Sequence, residues 1–259
     1  MSVNWAELYA NLITQLQSGK VLTFRQDFFV NFYRAFVDGD RWKLYLKGVL
    51  STVEVTILAL IIGIVLGVLV AVIRTAHDQR RPGRSNPVLG VLNVLCKIYT
   101  TIIRGTPMMV QLLIMGFVIF ANSRNFTMVG ALTLGINSGA YVSEIVRSGL
   151  MSIDPGQMEA GRSLGMGYVP VMRYVVIPQA FKNILPALGN EFITLFKDTS
   201  LITVIGGKEL VYAAQAVGAK TYAVMFPYIG AAVIYLVLVL ILTWLLGRLE
   251  RRLRQSDRH

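Results

Sequence analysis

The run Tyr228–Gly247 carries no charged residue, and Val49–Ile73 is apolar apart from Glu54 and three hydroxyl side chains. A helix needs about 20 apolar residues to cross the hydrocarbon core of a bilayer. Within that core every backbone polar group has to be satisfied inside the segment or by a closed barrel. Runs of this length and kind restrict the chain to an all-α, polytopic membrane protein. Composition agrees: 54% of the 259 residues are hydrophobic and only 15% are charged, against about 25% charged in soluble domains.

The net charge of +11 would also suit nucleic acid, whose phosphates release counterions to clustered cations. The placement of the charge argues for lipid instead, and no nucleic-acid partner is expected. Arg74, Arg80, Arg81 and Arg84 follow one apolar run; Arg248, Arg251, Arg252 and Arg254 follow the last. Basic residues at span ends mark the cytoplasmic side. The single Cys96 leaves no intrachain disulfide framework. Residues 1–20 lack the basic-then-apolar order of a cleaved signal peptide.

About five crossings are predicted, over 46–75, 105–122, 127–150, 178–205 and 222–247, with the amino terminus outside and the basic carboxyl terminus inside. Lys97 and Arg104 are expected to hold the segment before 105 near the cytoplasmic surface. Pro82-Gly83 and Asn86-Pro87 read as turns, Arg124-Asn125 as a tight external turn, and 206–220 as a glycine-containing external connection. Residues 1–45 form a separate amphipathic extension, 46–250 the transmembrane domain and 251–259 a basic cytoplasmic tail. In the extension Phe24, Phe28, Phe32 and Phe36 recur every four residues, with Arg25, Asp27, Arg34 and Asp38 largely off that stripe. That pattern describes a helix lying on a membrane surface or against the body, or else a docking element for a partner.

The third and fourth spans are separated by the polar stretch 151–177. Asp154-Pro155 reads as N-cap and N1 proline, with Gln157 at N3 completing a capping box. A short helix then runs through Met158, Glu159, Ala160, Arg162 and Leu164, and Gly165 and Gly167 are natural stops. Pro170 starts a second helix, and Pro178 interrupts it before the next span. The expected product is a stiff helix–turn–helix in the cytoplasm. Ala160 and Gly161 offer little bulk and Met158 and Leu164 offer apolar contact to a groove on another protein; the alternative is an ordinary solvated loop.

The spacing Glu159-Ala160-Gly161, three residues, Gly165, nine residues, then Val175-Val176-Ile177-Pro178 resembles the signature loop of ABC importer permeases. Gly161 stands where that family has a second alanine, and Val175 and Ile177 replace the commoner Ile and Leu. Arg104-Gly105-Thr106-Pro107 with Val110-Gln111-Leu112 looks like the polar amino acid uptake branch of that family. So do Asn137–Arg147, Pro178-Gln179-Ala180, Leu188–Phe192 and Lys197–Leu201.

The resemblance covers roughly 46–250. It implies the type I ABC importer permease fold and the transmembrane permease subunit of an ATP-driven importer of polar amino acids in the cell membrane, a transport component and not an enzyme. It further implies ABC ATPase subunits that carry ATP and Mg, a second permease subunit (identical or a close paralogue) and an extracytoplasmic amino acid-binding protein. Coupling to the ATPase is implied for Asp154, Met158, Glu159, Ala160, Gly161, Leu164 and Gly165. No cofactor is expected in this chain: Gly206-Gly207-Lys208 lacks the length and hydroxyl of a phosphate-cradling loop.

Charged groups within spans cost about 2.5–3.5 kcal/mol on insertion scales and usually face a cavity or partner. Glu191 and Asp198, seven residues apart, share one helix face, with Asn190 beside it. Glu191 or Asp198 could take the ammonium of an amino acid; Asn190, Thr199, Ser200, Gln111 or a helix amino terminus could take its carboxylate. The structural alternatives are that Asp198 pairs with Lys197 or caps a helix break, and that Glu191 meets an arginine across the bundle.

Glu144 and Arg147 are expected to pair along one helix. Arg104 with Gly105-Thr106-Pro107 is expected to break a helix near the inner surface, and Gly63, Gly67 and Gly116 to allow close helix contacts. An ion-coupled carrier using Glu191 and Asp198 as a proton relay is the alternative function. An intramembrane enzyme lacks candidates, since His77 and His259 both lie in basic polar segments.

Overall fold

The computed structural model describes residues 4–78 and 86–255. The expected Pro82-Gly83 turn, Arg80, Arg81, Arg84, the Arg254 side chain and the tail beyond Gln255, with His259, lie outside the described residues. Every described element is helical. In order they are α1 (Trp5–Gln17), α2 (Phe24–Phe36), α3 (Trp42–Asp78), α4 (Pro87–Gly105) and α5 (Met108–Ile114), the last followed by a π turn, Met115–Ile119. Then come α6 (Phe126–Met151), α7 (Pro155–Ser163), α8 (Tyr168–Val171), a π turn at Met172–Val176 and α9 (Ile177–Asp198). A 3-10 segment (Thr199–Ile205), α10 (Leu210–Thr221) and α11 (Met225–Gln255) complete the chain.

Three described helices are long and apolar enough to cross a membrane: Asp38–Asp78, Pro87–Gly105 and Met225–Leu253. At 1.5 Å per residue the 37 residues of α3 extend about 55 Å, well beyond a hydrocarbon core of about 30 Å. With 26 and 22 residues, α6 and α9 have spanning length but carry polar groups. The first span starts at Trp42, inside the expected extension, and residues before it form two helices where the aromatic stripe suggested one. Asn86 caps α4, accepting from the amides of Val88 and Leu89, so Asn86-Pro87 is a helix start, not simply a turn.

The bundle is organised around α3 and α6. A Cβ on Gly63 would lie 2.8 Å from Ser138 Oγ, one on Gly67 2.6 Å from Val142, and one on Gly135 2.6 Å from Ile62. The two backbones therefore meet at a separation only glycine permits, as small residues allow in membranes. Val55, Ala59, Leu134, Leu195 and Ile202 form the core where α9 and the 3-10 segment close on this pair.

Ion pairing crosses helices. Arg74 Nη1 lies 2.6 Å from Glu144 and Arg147 Nη2 2.9 Å from Asp78, so the expected Glu144–Arg147 pair is replaced by two α3–α6 pairs. Arg104 approaches Glu144 at 3.8 Å and covers the Tyr141 ring. Bridging two helices satisfies four charges at once, whereas the i,i+3 pair would leave Arg74 half-buried without a partner.

The connection expected to be external is more ordered than its composition indicated. Residues 210–221 are helix α10, capped by Glu209, which is 1% exposed. Its carboxylate accepts from the amides of Val211 (2.8 Å) and Tyr212 (2.9 Å), from Tyr235 Oη (2.9 Å) and from Thr203 Oγ1. Ser51 donates to the Lys208 carbonyl at 2.6 Å, and Thr127 accepts from the Lys208 amide at 2.9 Å. One buried carboxylate thus ties α10, α11 and the 3-10 segment together beside the starts of α3 and α6.

A capped lever and a polar belt at mid-depth

The polar segment between α6 and α9 is built as its caps dictate. Asp154 accepts from the Gly156 amide at 2.9 Å, and Pro155 opens α7. At the other end Gly165 adopts φ +83°, its amide reaches the Arg162 carbonyl (3.0 Å) and the Met166 amide the Gly161 carbonyl (3.1 Å). These two bonds are the Schellman pair, which needs a left-handed residue where Gly165 stands.

Two expectations change. Gln157 does not complete a capping box; its side chain accepts from Gln179 on α9 at 3.4 Å. Gly167 is the N-cap of α8, not a stop for α7.

Gly161 is buried, and a Cβ there would meet Val171 at 2.7 and 3.0 Å. It therefore seats α7 on α8 and does not face outward. Glu159, Ala160 and Leu164 are exposed, Leu164 at 83%, and Met158 is half-buried. Pro178, whose missing amide would break an α-helix, is absorbed by the wider π turn at Met172–Val176, so α8 continues into α9 without a gap. Asn183 on α9 also donates to Ser152 Oγ at 2.8 Å. The helix that carries Glu191 and Asp198 thus contacts both Gln157 of α7 and Ser152 at the end of α6.

The break after α4 lies deeper than expected. Gln111 Nε2 donates to the carbonyls of Ile103 (2.8 Å) and Thr106 (3.2 Å) and to Thr106 Oγ1 (2.9 Å), replacing bonds lost at Pro107. Its Oε1 accepts from Asn137 Nδ2 at 3.0 Å. Asn137 is near the middle of α6, so the break sits at mid-depth and not near the inner surface.

The next residue, Ser138, donates to Glu191 Oε1 at 2.7 Å. Gln111, Asn137, Ser138 and Glu191 thus form one polar belt across α5, α6 and α9. Irregular backbone at such depth is tolerated where it lines protein or a cavity, and broken helices at the midplane are a device of transport proteins.

The remaining candidates separate. Asn190 is exposed and donates to the Pro186 carbonyl at 3.2 Å. Asp198 is seven residues, about 10 Å, further along α9. Thr199 is fully buried, donating to the Phe196 carbonyl at 2.7 Å and lying 3.4 Å from Tyr235 Oη. Ser200 donates to the Lys197 carbonyl and, with Lys197, Tyr228 and Tyr235, lines an apolar groove of about 490 Å³ against α11. Neither Glu191 nor Asp198 has an ion-pair partner within 4 Å among the described residues. Asn137 and Ser138, which complete the belt, were visible in the sequence only as part of the α6 resemblance.

Comparison with known proteins agrees with this architecture. Residues 88–255 match the family described as binding-protein-dependent transport system inner membrane component. The arginine transport system permease protein ArtQ of Bacillus subtilis is 43% identical over 187 residues, covering 66% of this chain and 84% of that protein. The glutamine transport system permease protein GlnP of Escherichia coli K12 is 38% identical over 171 residues, covering 63% and 77%.

Among solved structures, an amino acid ABC transporter crystallised with histidines superposes with a TM-score of 0.72 at 40% identity, covering 81% of this chain and 94% of that one. The inward-facing MetNI methionine transporter gives 0.68 at 21% identity over 84% and 99%, a likeness of fold. The helical bundle has the type I importer permease fold, and the chain belongs to the family of inner-membrane components of binding-protein-dependent transport systems.

Proposed function

We propose that this permease component of an amino acid ABC importer moves polar amino acids past the belt at Glu191 and takes its drive from ATPase subunits gripping α7. The observation that carries the reading is the seat of α7 on α8 at Gly161 and Val171, followed by the continuous run from α8 through the π turn into α9, with Gln179 of α9 donating to Gln157 of α7. A force on α7 passes to α8 through that seat and on to Glu191 along continuous helix.

In this reading Glu159, Ala160 and Leu164, exposed together, meet the ATPase, with Met158 at the edge of the contact. Asp154 and Gly165 fix the ends of the lever and Gly161 its seat. Glu191 receives the substrate ammonium; Asn190, Gln111 and the exposed amides at the start of α5 serve the carboxylate. Asp198 and Ser200 border the outer entrance, and the buried Thr199 holds the turn behind them. ATP and Mg sit on the partner ATPase, an extracytoplasmic binding protein delivers the amino acid, and a second permease subunit closes the path. The relatives' names include arginine and glutamine permeases, which supports polar amino acids as the substrate class.

The two permease subunits alternate between inward- and outward-facing packings, and ATPase closure biases one of them. The test is reconstitution with the ATPase and binding protein, with cysteine placed at Ala160. Crosslinking to the ATPase that strengthens or weakens with ATP, together with ATP-dependent uptake, is the expected result. Uptake that survives without the ATPase and collapses with the proton gradient would replace this reading with the ion-coupled carrier.

A further inference from the structure

The amino-terminal helices carry an aromatic surface that coupling and transport do not use. Tyr9 stacks on Tyr33 at 4.5 Å and Trp5 meets Phe29 at 5.7 Å, so α1 and α2 form a hairpin with Leu12 and Val30 buried. Along the other side of α2 the Phe24, Phe28, Phe32 and Phe36 ladder descends onto the bundle. Phe36 packs on Tyr45 at 5.2 Å and against Gly230, and Phe28 meets Phe226 edge-on at 5.1 Å. Phe24, Phe28 and Phe32 nevertheless remain 84%, 52% and 46% exposed. Gly39 and Asp40, at φ +60° and +57°, reverse the chain between α2 and α3 and let α2 lie across the helix ends.

Those contacts fix where the surface sits. Tyr45 and Phe226 belong to the first turns of two spanning helices, α3 and α11. The opposite end of α3 carries Asp78, paired with Arg147 near the cytoplasmic end of α6. The hairpin is therefore on the face away from the lever. Trp42 (50% exposed), Tyr222 (97%) and Tyr228 (42%) surround the same helix ends. Exposed Trp, Tyr and Phe gathered at the start of membrane-spanning helices form the aromatic belt that settles at headgroup level.

We infer that α2 lies in the outer membrane interface, with Phe24, Phe28 and Phe32 inserted at the boundary of headgroups and acyl chains. The occupant of this face is lipid, because the ladder continues without interruption onto helices that are themselves in the bilayer. Asp27, Asn31 and Arg34, at i, i+4 and i+7, supply the water-facing side. Side-chain charge in residues 1–45 nearly cancels: Lys20, Arg25, Arg34, Arg41 and Lys43 against Glu7, Asp27, Asp38 and Asp40. Insertion is accordingly apolar in origin and does not need anionic lipid.

The experiment uses the full chain in neutral phosphatidylcholine vesicles, with Trp5, Trp42 and Trp244 replaced by Phe and one reporter, Phe24→Trp, Phe28→Trp or Asp27→Trp. Lipids brominated near the glycerol should quench Phe24→Trp and Phe28→Trp at least twofold, with blue-shifted emission. Asp27→Trp should respond to aqueous iodide instead. Phe24, which touches no other ring among the described residues, keeps the test valid if Phe28→Trp disturbs the contact with Phe226. If both aromatic-site reporters are quenched by iodide and not by brominated lipid, the ladder faces water as a docking surface for a soluble protein, and the inference is overturned.

Discussion

Replacing Gly161 by alanine tests how α7 is seated. The added methyl would lie 2.7 Å from Val171 Cγ2 and 3.0 Å from Cγ1. Carbon atoms in contact prefer about 3.5–4.0 Å, so α7 and α8 must part by roughly 1 Å. Overpacking of this kind costs about 1–3 kcal/mol, which lowers the equilibrium for a seated lever about 5- to 150-fold. The cost falls on the lever and not the bundle, because α7 is exposed on its other sides.

Val171→Ala removes both offending carbons, so the double variant should recover most of the loss, with a coupling energy of at least ~1 kcal/mol in a mutant cycle. The assay is ATP hydrolysed per amino acid taken up by proteoliposomes, with limited proteolysis of residues 151–167 as the structural readout. Gly161→Ala should raise both, and the double variant should lower both again. A neutral Gly161→Ala, or strictly additive effects of the two changes, would refute the seating argument.

Gly165 at φ +83° should not tolerate a β-branched residue; Gly165→Val is expected to cost at least ~1–2 kcal/mol of local strain and to uncouple hydrolysis from uptake while membrane insertion, followed by fractionation, stays normal. Glu191→Gln keeps an acceptor for Ser138 but loses the charge, so uptake should fall tenfold or more at unchanged protein level, read by radiolabelled amino acid flux; unchanged flux would remove Glu191 from the path. Glu144→Ala leaves Arg74, whose side chain is 12% exposed, without its carboxylate, at a cost of about 1–3 kcal/mol once the partial exposure of Glu144 is discounted; a lower melting temperature in detergent, partly restored by the Arg74→Glu/Glu144→Arg exchange, is the expected result. Glu209→Ala deprives α10 of its cap and strands the Tyr235 and Thr203 hydroxyls, so it should destabilise the protein by at least ~1–3 kcal/mol, measured in the same melting assay.

What the sequence disclosed and what it hid follow from the range of the interactions. The first and last apolar runs, the Asp154-Pro155 start and the Gly165 stop are local signals and fall within a few residues of the helices; the crossing expected over 105–122 does not, since Pro87–Gly105 has spanning length and Met108–Ile119 is short. The Glu144–Arg147 expectation failed because helical neighbourhood is all that a sequence displays, whereas Arg74 lies 70 positions away from its partner. Glu209 went unread because glutamate is not among the usual N-capping residues, and its buried setting depends on Tyr235 and Thr203 arriving from other elements.

Gly161 looked like a small outward-facing residue until Val171 appeared behind it. The depth of the Pro107 break needed Asn137 to fix it. Of the candidate residues, Gln111 and Glu191 converge on one belt, Asn190 beside Glu191 turns back to the Pro186 carbonyl, and Asp198, Thr199 and Ser200 lie at the end of α9 and beyond.

The glycine contacts between α3 and α6 carry a mechanical consequence. With Gly63, Gly67 and Gly135 each interlocked with the facing helix, and Arg74–Glu144 and Asp78–Arg147 bolting the inner end, neither helix can slide past the other by even part of a turn. The pair behaves as a single beam, the stator of the molecule. In the proposed transport cycle, the displacement that opens one side of the membrane and shuts the other falls where α9 bears on that beam.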